Sequence, residues 1–257
     1  MKTRAFLWAA LVLAALSPRA RAEWPYLTEE AATLPLGRYS VSVGVSQSWQ
    51  HSRLLRGGEG VLWTLPEAEV TLGVGPHAEV SARYELLWFH PGGGSGSVYE
   101  SGDVRLWTKL AVLPGTLKGV GFRFGVKLPN ASEKHGLGTD ETDAFLEALW
   151  DVRLWGADVS LNAGLGILGA TDRNRSQDDV LTWGAAVRRP VGRAFRVGLD
   201  ASGYSGPYGM HRKRDFATVG LVMDWRAGAW RVSLGGRRGI QDALGWGWVA
   251  GVTWTGD

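Results

Sequence analysis

From residue 38 to residue 255 the chain swaps apolar for polar side chains at every second position, segment after segment. Val80, Ala82, Tyr84, Leu86 and Trp88 interleave with Glu79, Ser81, Arg83 and Glu85, and Val120, Phe122, Phe124, Val126 and Leu128 with Gly121, Arg123, Gly125 and Lys127. Successive side chains of a β-strand point to opposite faces, so this period describes strands with one greasy and one wet face. An amphipathic helix repeats every ~3.6 residues instead. After Glu23 there is no unbroken apolar run of the roughly 18 residues a membrane-spanning helix needs. The alternation predicts twelve strands, near 38–49, 60–74, 78–89, 102–113, 119–128, 142–154, 158–169, 180–188, 194–204, 215–226, 229–237 and 244–255. Pro66 has no N–H for a ladder, so a bulge or edge irregularity is expected in the second of these.

Such strands can turn their apolar faces into a soluble core or out into lipid, and three features favour lipid. The apolar faces run nearly uninterrupted over about five positions, the length a bilayer-crossing strand requires. Large indoles recur near strand ends, at Trp49, Trp88, Trp183, Trp225, Trp230, Trp246 and Trp254. An indole joins an apolar ring to an N–H that needs a partner, which suits the boundary between membrane and water. Connections also alternate, long at 50–59, 90–101, 129–141, 170–179, 205–214 and 238–243 and short between them. Outer-membrane barrels have long external loops and tight periplasmic turns. A sheet in lipid must also close, because an open edge leaves backbone groups unpaired. The expected fold is therefore all-β: a closed, antiparallel, up-and-down transmembrane barrel of about 12 strands over residues 37–257.

The start of the chain reads differently. Lys2 and Arg4 precede the apolar run 5–16, and Ala20-Arg21-Ala22 offers the small residues a signal peptidase recognises. This predicts a secretory signal over 1–22, cleaved before Glu23, and a mature chain in the Gram-negative outer membrane. Residues 23–36 precede the barrel and can plug its lumen or lie in the periplasm; a short periplasmic segment tucked under the barrel is the favoured expectation. The signal holds four of the 28 basic residues and no acid, leaving 24 basic against 25 acidic groups elsewhere. That balance gives no reason to expect nucleic acid as a partner. Without cysteine, disulfide scaffolds and thiolate metal sites are excluded.

If the apolar parity faces lipid, the other parity faces a lumen. It carries Arg83, Glu85, Asp103, Arg105, Lys109, Arg123, Lys127, Glu147, Asp151, Arg153, Arg196, Asp200, Asp224, Arg226, Arg231 and Arg237. Simple hairpin registers set Arg123 against Glu147, Lys127 against Asp143, Glu85 against Arg105 and Arg196 against Asp224. One reading is a passive polar conduit for small solutes with a mild preference for anions or zwitterions. The alternative is a non-conducting structural or surface-interaction barrel whose salt-bridged lumen is filled. Twelve strands lie between filled 8-strand barrels and open 16-strand porins, so strand number does not decide.

One loop adds a resemblance. Val126-Lys127-Leu128-Pro129, followed by Gly136-Leu137-Gly138-Thr139-Asp140-Glu141-Thr142-Asp143, resembles a pattern in the outer-membrane family named after the meta-pathway of phenol degradation. Leu34-Pro35-Leu36-Gly37-Arg38, the stretch 72–80 and Gly102-Asp103-Val104 are similar to further segments of that family. Asn130-Ala131 stands where Thr-Gly is usual, and Asp140 where Gly is common. The resemblance implies an outer-membrane barrel that transports small solutes, aromatic compounds among them, without fixing which one. Gly136, Gly138, Thr139, Asp140 and Asp143 are expected at the mouth, with Lys127 and Asp143 the first charges met inside. Assembly machinery is a further partner expected of the class, although Trp254 stands three residues from the end where a terminal aromatic is usual.

The remaining chemistry does not suggest an enzyme. His51, His77, His90, His135 and His211 fall in predicted loops or turns, and neither His51-Ser52 nor His90 with Ser95 and Ser97 has strand context for a nucleophile–base pair. No metal-ligand spacing or cofactor signature accompanies them.

Overall fold

The computed structural model describes residues 24–50, 59–94, 96–114, 118–133, 137–169, 177–206, 215–241 and 245–257. The expected signal 1–22, Gly136, His51, His135, His211, Ser52 and Ser95 lie outside the described residues. The strands are β1 (Tyr39–Gln50), β2 (Gly60–Gly75), β3 (Ala78–Pro91), β4 (Val98–Ser101), β5 (Val104–Leu113), β6 (Lys118–Leu128), β7 (Asp143–Leu154), β8 (Ala157–Gly169), β9 (Gln177–Val191), β10 (Phe195–Ser205), β11 (Phe216–Ala227), β12 (Trp230–Gln241) and β13 (Trp246–Gly256). Chain neighbours pair antiparallel all the way round, and β1 pairs with β13 from Tyr39↔Gly256 to Ser48↔Gly247. That last pairing closes the sheet into a barrel.

The wall has twelve staves, because β4 and β5 share one: β3 pairs with β4 over Leu86–Phe89 and with β5 over Ala78–Arg83. The strand read at 102–113 is β5, whereas β4 falls in the stretch 90–101 expected as a long loop, and the break between the two has a local cause. Gly102 lies against Glu85, where any added Cβ would collide, and its N–H donates to the Glu85 carbonyl at 2.8 Å. The Asp103 carboxylate accepts the N–H groups of Asn130 and Ala131 at 3.0 and 3.1 Å, diverting the chain from the ladder. The irregularity expected at Pro66 is present: the β2–β3 register shifts between Thr64 and Glu67, and the β1–β2 register between Gly44 and Ser46.

Outward positions are apolar and open, as at Leu146, Leu165, Leu199, Leu221 and Leu234, all more than half exposed. Buried positions are mostly polar or charged, among them Lys109, Asp143, Glu147, Arg188, Asp200 and Asp224. A water-soluble protein places these classes the other way round. The short turns share one end of the barrel. Trp155-Gly156, with φ of 49° and 79°, forms a two-residue reversal in which both residues take the left-handed conformation of a type I′ turn.

Residues 24–37 form no strand, and of their two expected placements they take the lumen, which corrects the favoured one beneath the barrel. They lie inside it as a strap running once round the inner wall. Arg231 of β12 donates to the Trp24 carbonyl at 3.0 Å. The Tyr26 hydroxyl donates to Asp224 of β11 at 3.0 Å, and Asp200 of β10 binds Thr28. Asn162 of β8 and Asp151 of β7 accept the N–H groups of Glu29 and Ala31, both at 2.7 Å. Glu79 of β3 accepts that of Leu34, and Gly37 joins Gly73 of β2 at 2.9 Å. The track exists because inward side chains are missing where the strap passes. Added Cβ atoms at Gly44 and Gly251 would strike the Trp24 ring, at Gly198 Tyr26, at Gly184 Thr28, and at Gly73 the Pro35 backbone.

Candidate functional site

The lumen divides into a packed part, where the wall holds the strap, and an open part beside it. In the packed part Asp200 accepts three bonds: from Leu27 N–H at 2.6 Å, Thr28 N–H at 3.1 Å and Thr28 hydroxyl at 2.6 Å. Asp224 accepts from Tyr26, from Ser233 at 2.7 Å and from Arg196 at 2.8 Å. Arg188 is fully buried and donates to the Thr28 carbonyl at 2.6 Å and to Glu30 at 3.3 Å. Tyr26 has the guanidinium carbons of Arg188 and Arg196 within 4.6 and 5.3 Å of its ring centre. Burial pushes its phenol well above the usual range, against the pull of Arg196, so the ring keeps its proton and donates.

The open part is a cavity of about 430 Å³, reaching from Tyr26, Leu27 and Glu29 of the strap to Leu62, Leu87 and Leu137 near the long-loop end. Its charges pair across neighbouring strands. Arg83 meets Glu69 at 2.5 Å and Glu67 at 3.5 Å, and Arg105 meets Glu85 at 3.2 Å. Lys109 meets Glu79 at 2.7 Å and Glu29 at 3.1 Å. Arg123 meets Glu147 at 2.5 Å and Glu29 at 3.1 Å, and lies 4.4 Å over the Trp107 ring. Burial alone would raise the Glu29 carboxyl, but Lys109 and Arg123 outweigh it and hold the group below the usual carboxylate range.

The registers for Arg123 with Glu147, Lys127 with Asp143 and Arg196 with Asp224 are those read from the hairpins. Glu85 is different: Arg83 lies opposite Arg105, and Glu85 reaches Arg105 from a neighbouring position. Asp151 binds Ser160 at 2.7 Å, and Arg153 pairs with Asp158 at 3.7 Å near a short turn. Arg231 also donates to Thr253 at 3.1 Å. Sequence reasoning missed Glu67, Glu69, Glu79, Arg188, Asn162 and the two strap carboxylates Glu29 and Glu30. The bulge at Pro66 hides the parity of Glu67 and Glu69, and Arg188 sits where the expected strand stopped. Glu79 already stood on the polar parity of its strand.

At the mouth, Lys127 pairs with Asp143 at 2.9 Å and donates to Thr139 at 2.8 Å. Gly138 lies so close to Ala131 that a side chain would collide. Asp140 has φ of 49°, a conformation that favours glycine and that Asp tolerates. Trp49, Trp88, Trp183, Trp225, Trp230 and Trp246 are exposed, and Trp254 packs edge-on to Tyr39 at 5.2 Å. One pair that the spacing did not anticipate is formed: Ser97 Oγ and His90 Nδ1 are 2.7 Å apart on an exposed edge.

A closed antiparallel barrel with an apolar exterior and a charged lumen is the architecture of outer-membrane barrels. The fold is shared with an outer membrane channel from Pseudomonas putida F1, with TM-score 0.67 and 12% identity over 92% of this chain and 100% of that one. It is shared with the NanC porin, with TM-score 0.62 and 10% identity over 83% and 98% of the two chains. A KdgM porin, solved in complex with disordered oligogalacturonate, gives TM-score 0.53 and 7% identity over 84% and 98%. No family model matches the sequence, and no curated protein sequence matches it at a significant level.

Proposed function

We propose that this protein is a passive channel of the Gram-negative outer membrane for small anionic or aromatic solutes. The observation that carries the reading is the charged cavity of about 430 Å³ inside a closed wall, reaching from the strap to the long-loop end. Three barrels that share the fold, the Pseudomonas channel and the two porins, carry channel or porin names, which supports the reading. So does the resemblance of 126–143 to the meta-pathway family, within which we place the chain. Residues 1–22 direct export, assembly machinery inserts the barrel, and the exposed tryptophans sit at the two membrane boundaries. The lumenal charges line the route, and Gly136, Gly138, Thr139, Asp140 and Asp143 shape its outer mouth.

Conductance of the full chain in planar bilayers tests this. Ion current that is reshaped in Arg123→Ala is expected, and protein that inserts without ever conducting overturns it. A second reading has its own observation, the strap that fills the short-turn part of the lumen. A barrel that stays closed and uses its long loops for contact predicts no current even when the strap's anchor is removed in Asp200→Ala.

A further inference from the structure

Every carboxylate around the cavity is ion-paired, and so are four of its five cations. The fifth cation is Arg237. Positions 231, 233, 235 and 237 share the inward face of β12, which brings this guanidinium to the cavity. Its stem crosses Gly220 of β11, where an added Cβ would come within 3.2 Å of Arg237 Cγ. Among the described residues it has no carboxylate within ion-pair distance, and its hydrogen bond runs to the Pro25 carbonyl. A guanidinium carries five N–H donors in a planar fork, so most of this one is left to the cavity.

Thr218 stands on the same wall. It pairs with Gly239, two positions along from Arg237 on the inward face, which makes it a diagonal neighbour of Arg237. It is 3% exposed, and its hydroxyl has no hydrogen-bond partner among the described residues. Buried hydroxyls are paired as a rule because an unmade bond there is costly, so this group is poised for a partner. The two residues thus present a fork of donors and a hydroxyl to one space, and Leu62, Leu87, Trp107 and Leu137 supply apolar surface to the same cavity.

We propose that Arg237 and Thr218 form a carboxylate-binding subsite for small monocarboxylates with an apolar body. The planar fork matches the two oxygens of a carboxylate. One unpaired cation calls for one negative charge, and a dianion would also meet the paired carboxylates around the cavity. The cavity volume lies within the usual range for small-molecule sites. The subsite deepens the channel reading and rests on it for its role, although binding itself requires no current.

Isothermal titration of the full-length protein in detergent, with benzoate, benzyl alcohol and inorganic phosphate, tests the subsite. Saturable binding of benzoate is expected, with benzyl alcohol and phosphate at least about tenfold weaker. Arg237→Gln is expected to weaken benzoate about tenfold or more, and Thr218→Val about threefold. Because Arg237 also holds the Pro25 carbonyl, Thr218→Val decides the matter if Arg237→Gln fails to fold. No benzoate binding, tighter phosphate binding, or unchanged benzoate affinity in Thr218→Val overturns the subsite. Bilayer current from the same preparation separates the two ideas. Current without benzoate binding sinks the subsite and leaves the channel, and binding without current does the reverse.

Discussion

The two parts of the lumen are built from the same parity of the same wall, yet one is filled and the other holds space. Beside β9, β10 and β11, the charges Arg188, Asp200 and Asp224 spend their bonds on the strap. Beside β2, β3 and β5, Glu67, Glu69, Arg83, Glu85 and Arg105 spend theirs on each other. A charge satisfied by its cross-strand neighbour lies flat against the wall, whereas a charge bonded to a third segment draws that segment in. What fills a barrel is thus decided less by the number of charges than by where their partners stand in the chain.

The strongest way to break this contrast is to remove an anchor of the packed part. Asp200→Ala strips three acceptor contacts from Leu27 and Thr28, each worth about 1.5–3 kcal/mol as a bond to a charged group. Several-fold higher single-channel conductance and faster proteolysis within 24–34 are expected; unchanged conductance would show that the strap does not limit current. Gly184→Val places side-chain atoms where Thr28 lies, and a smaller rise in conductance is expected, with the barrel still folded by circular dichroism.

Acidity sharpens the contrast at the boundary between the two parts. The folded pKa of Glu29 lies below its unfolded value, so its hold on Lys109 and Arg123 is complete above the ordinary carboxylate range and is lost as pH falls through the lowered value. Conductance is expected to stay level from neutral pH through the ordinary carboxylate range and to rise only below that range. Glu29→Gln should abolish that step, and a step of equal size in this variant would rule Glu29 out as its source. In the open part, Arg83→Ala frees Glu67 and Glu69 in a wet lumen. A shift of about twofold toward cations in reversal potential is expected, with little change in conductance. The smallest effect belongs to Arg153→Ala, whose pair with Asp158 is a third exposed on both sides and contributes at most about 1 kcal/mol. Its thermal midpoint should be nearly that of the parent.

The barrel was legible in the sequence because its signal is repeated: each apolar stripe, such as Leu181, Trp183, Ala185 and Val187, independently selects the same outward face. Hairpin registers were legible where opposite charges met, as at Arg123 with Glu147. The strap was not, because residues 24–37 carry no period. Its partners, from Asp224 to Glu79, are scattered over much of the chain, and their common height on the wall appears only once every register is fixed. The inward glycines were visible, but a missing side chain does not announce what occupies the gap. Arg237 was assigned to the lumen by parity, whereas its lack of a carboxylate depends on three-dimensional neighbours that one sequence does not supply.

Wall side chains hold most of the strap, and among the described residues backbone bonds backbone between strap and strand only where Gly37 and Arg38 meet Gly73. Every rung between staves, including the seam of β1 with β13, is therefore independent of it. The thread is thus a separate part laid within the masonry, not one of its courses.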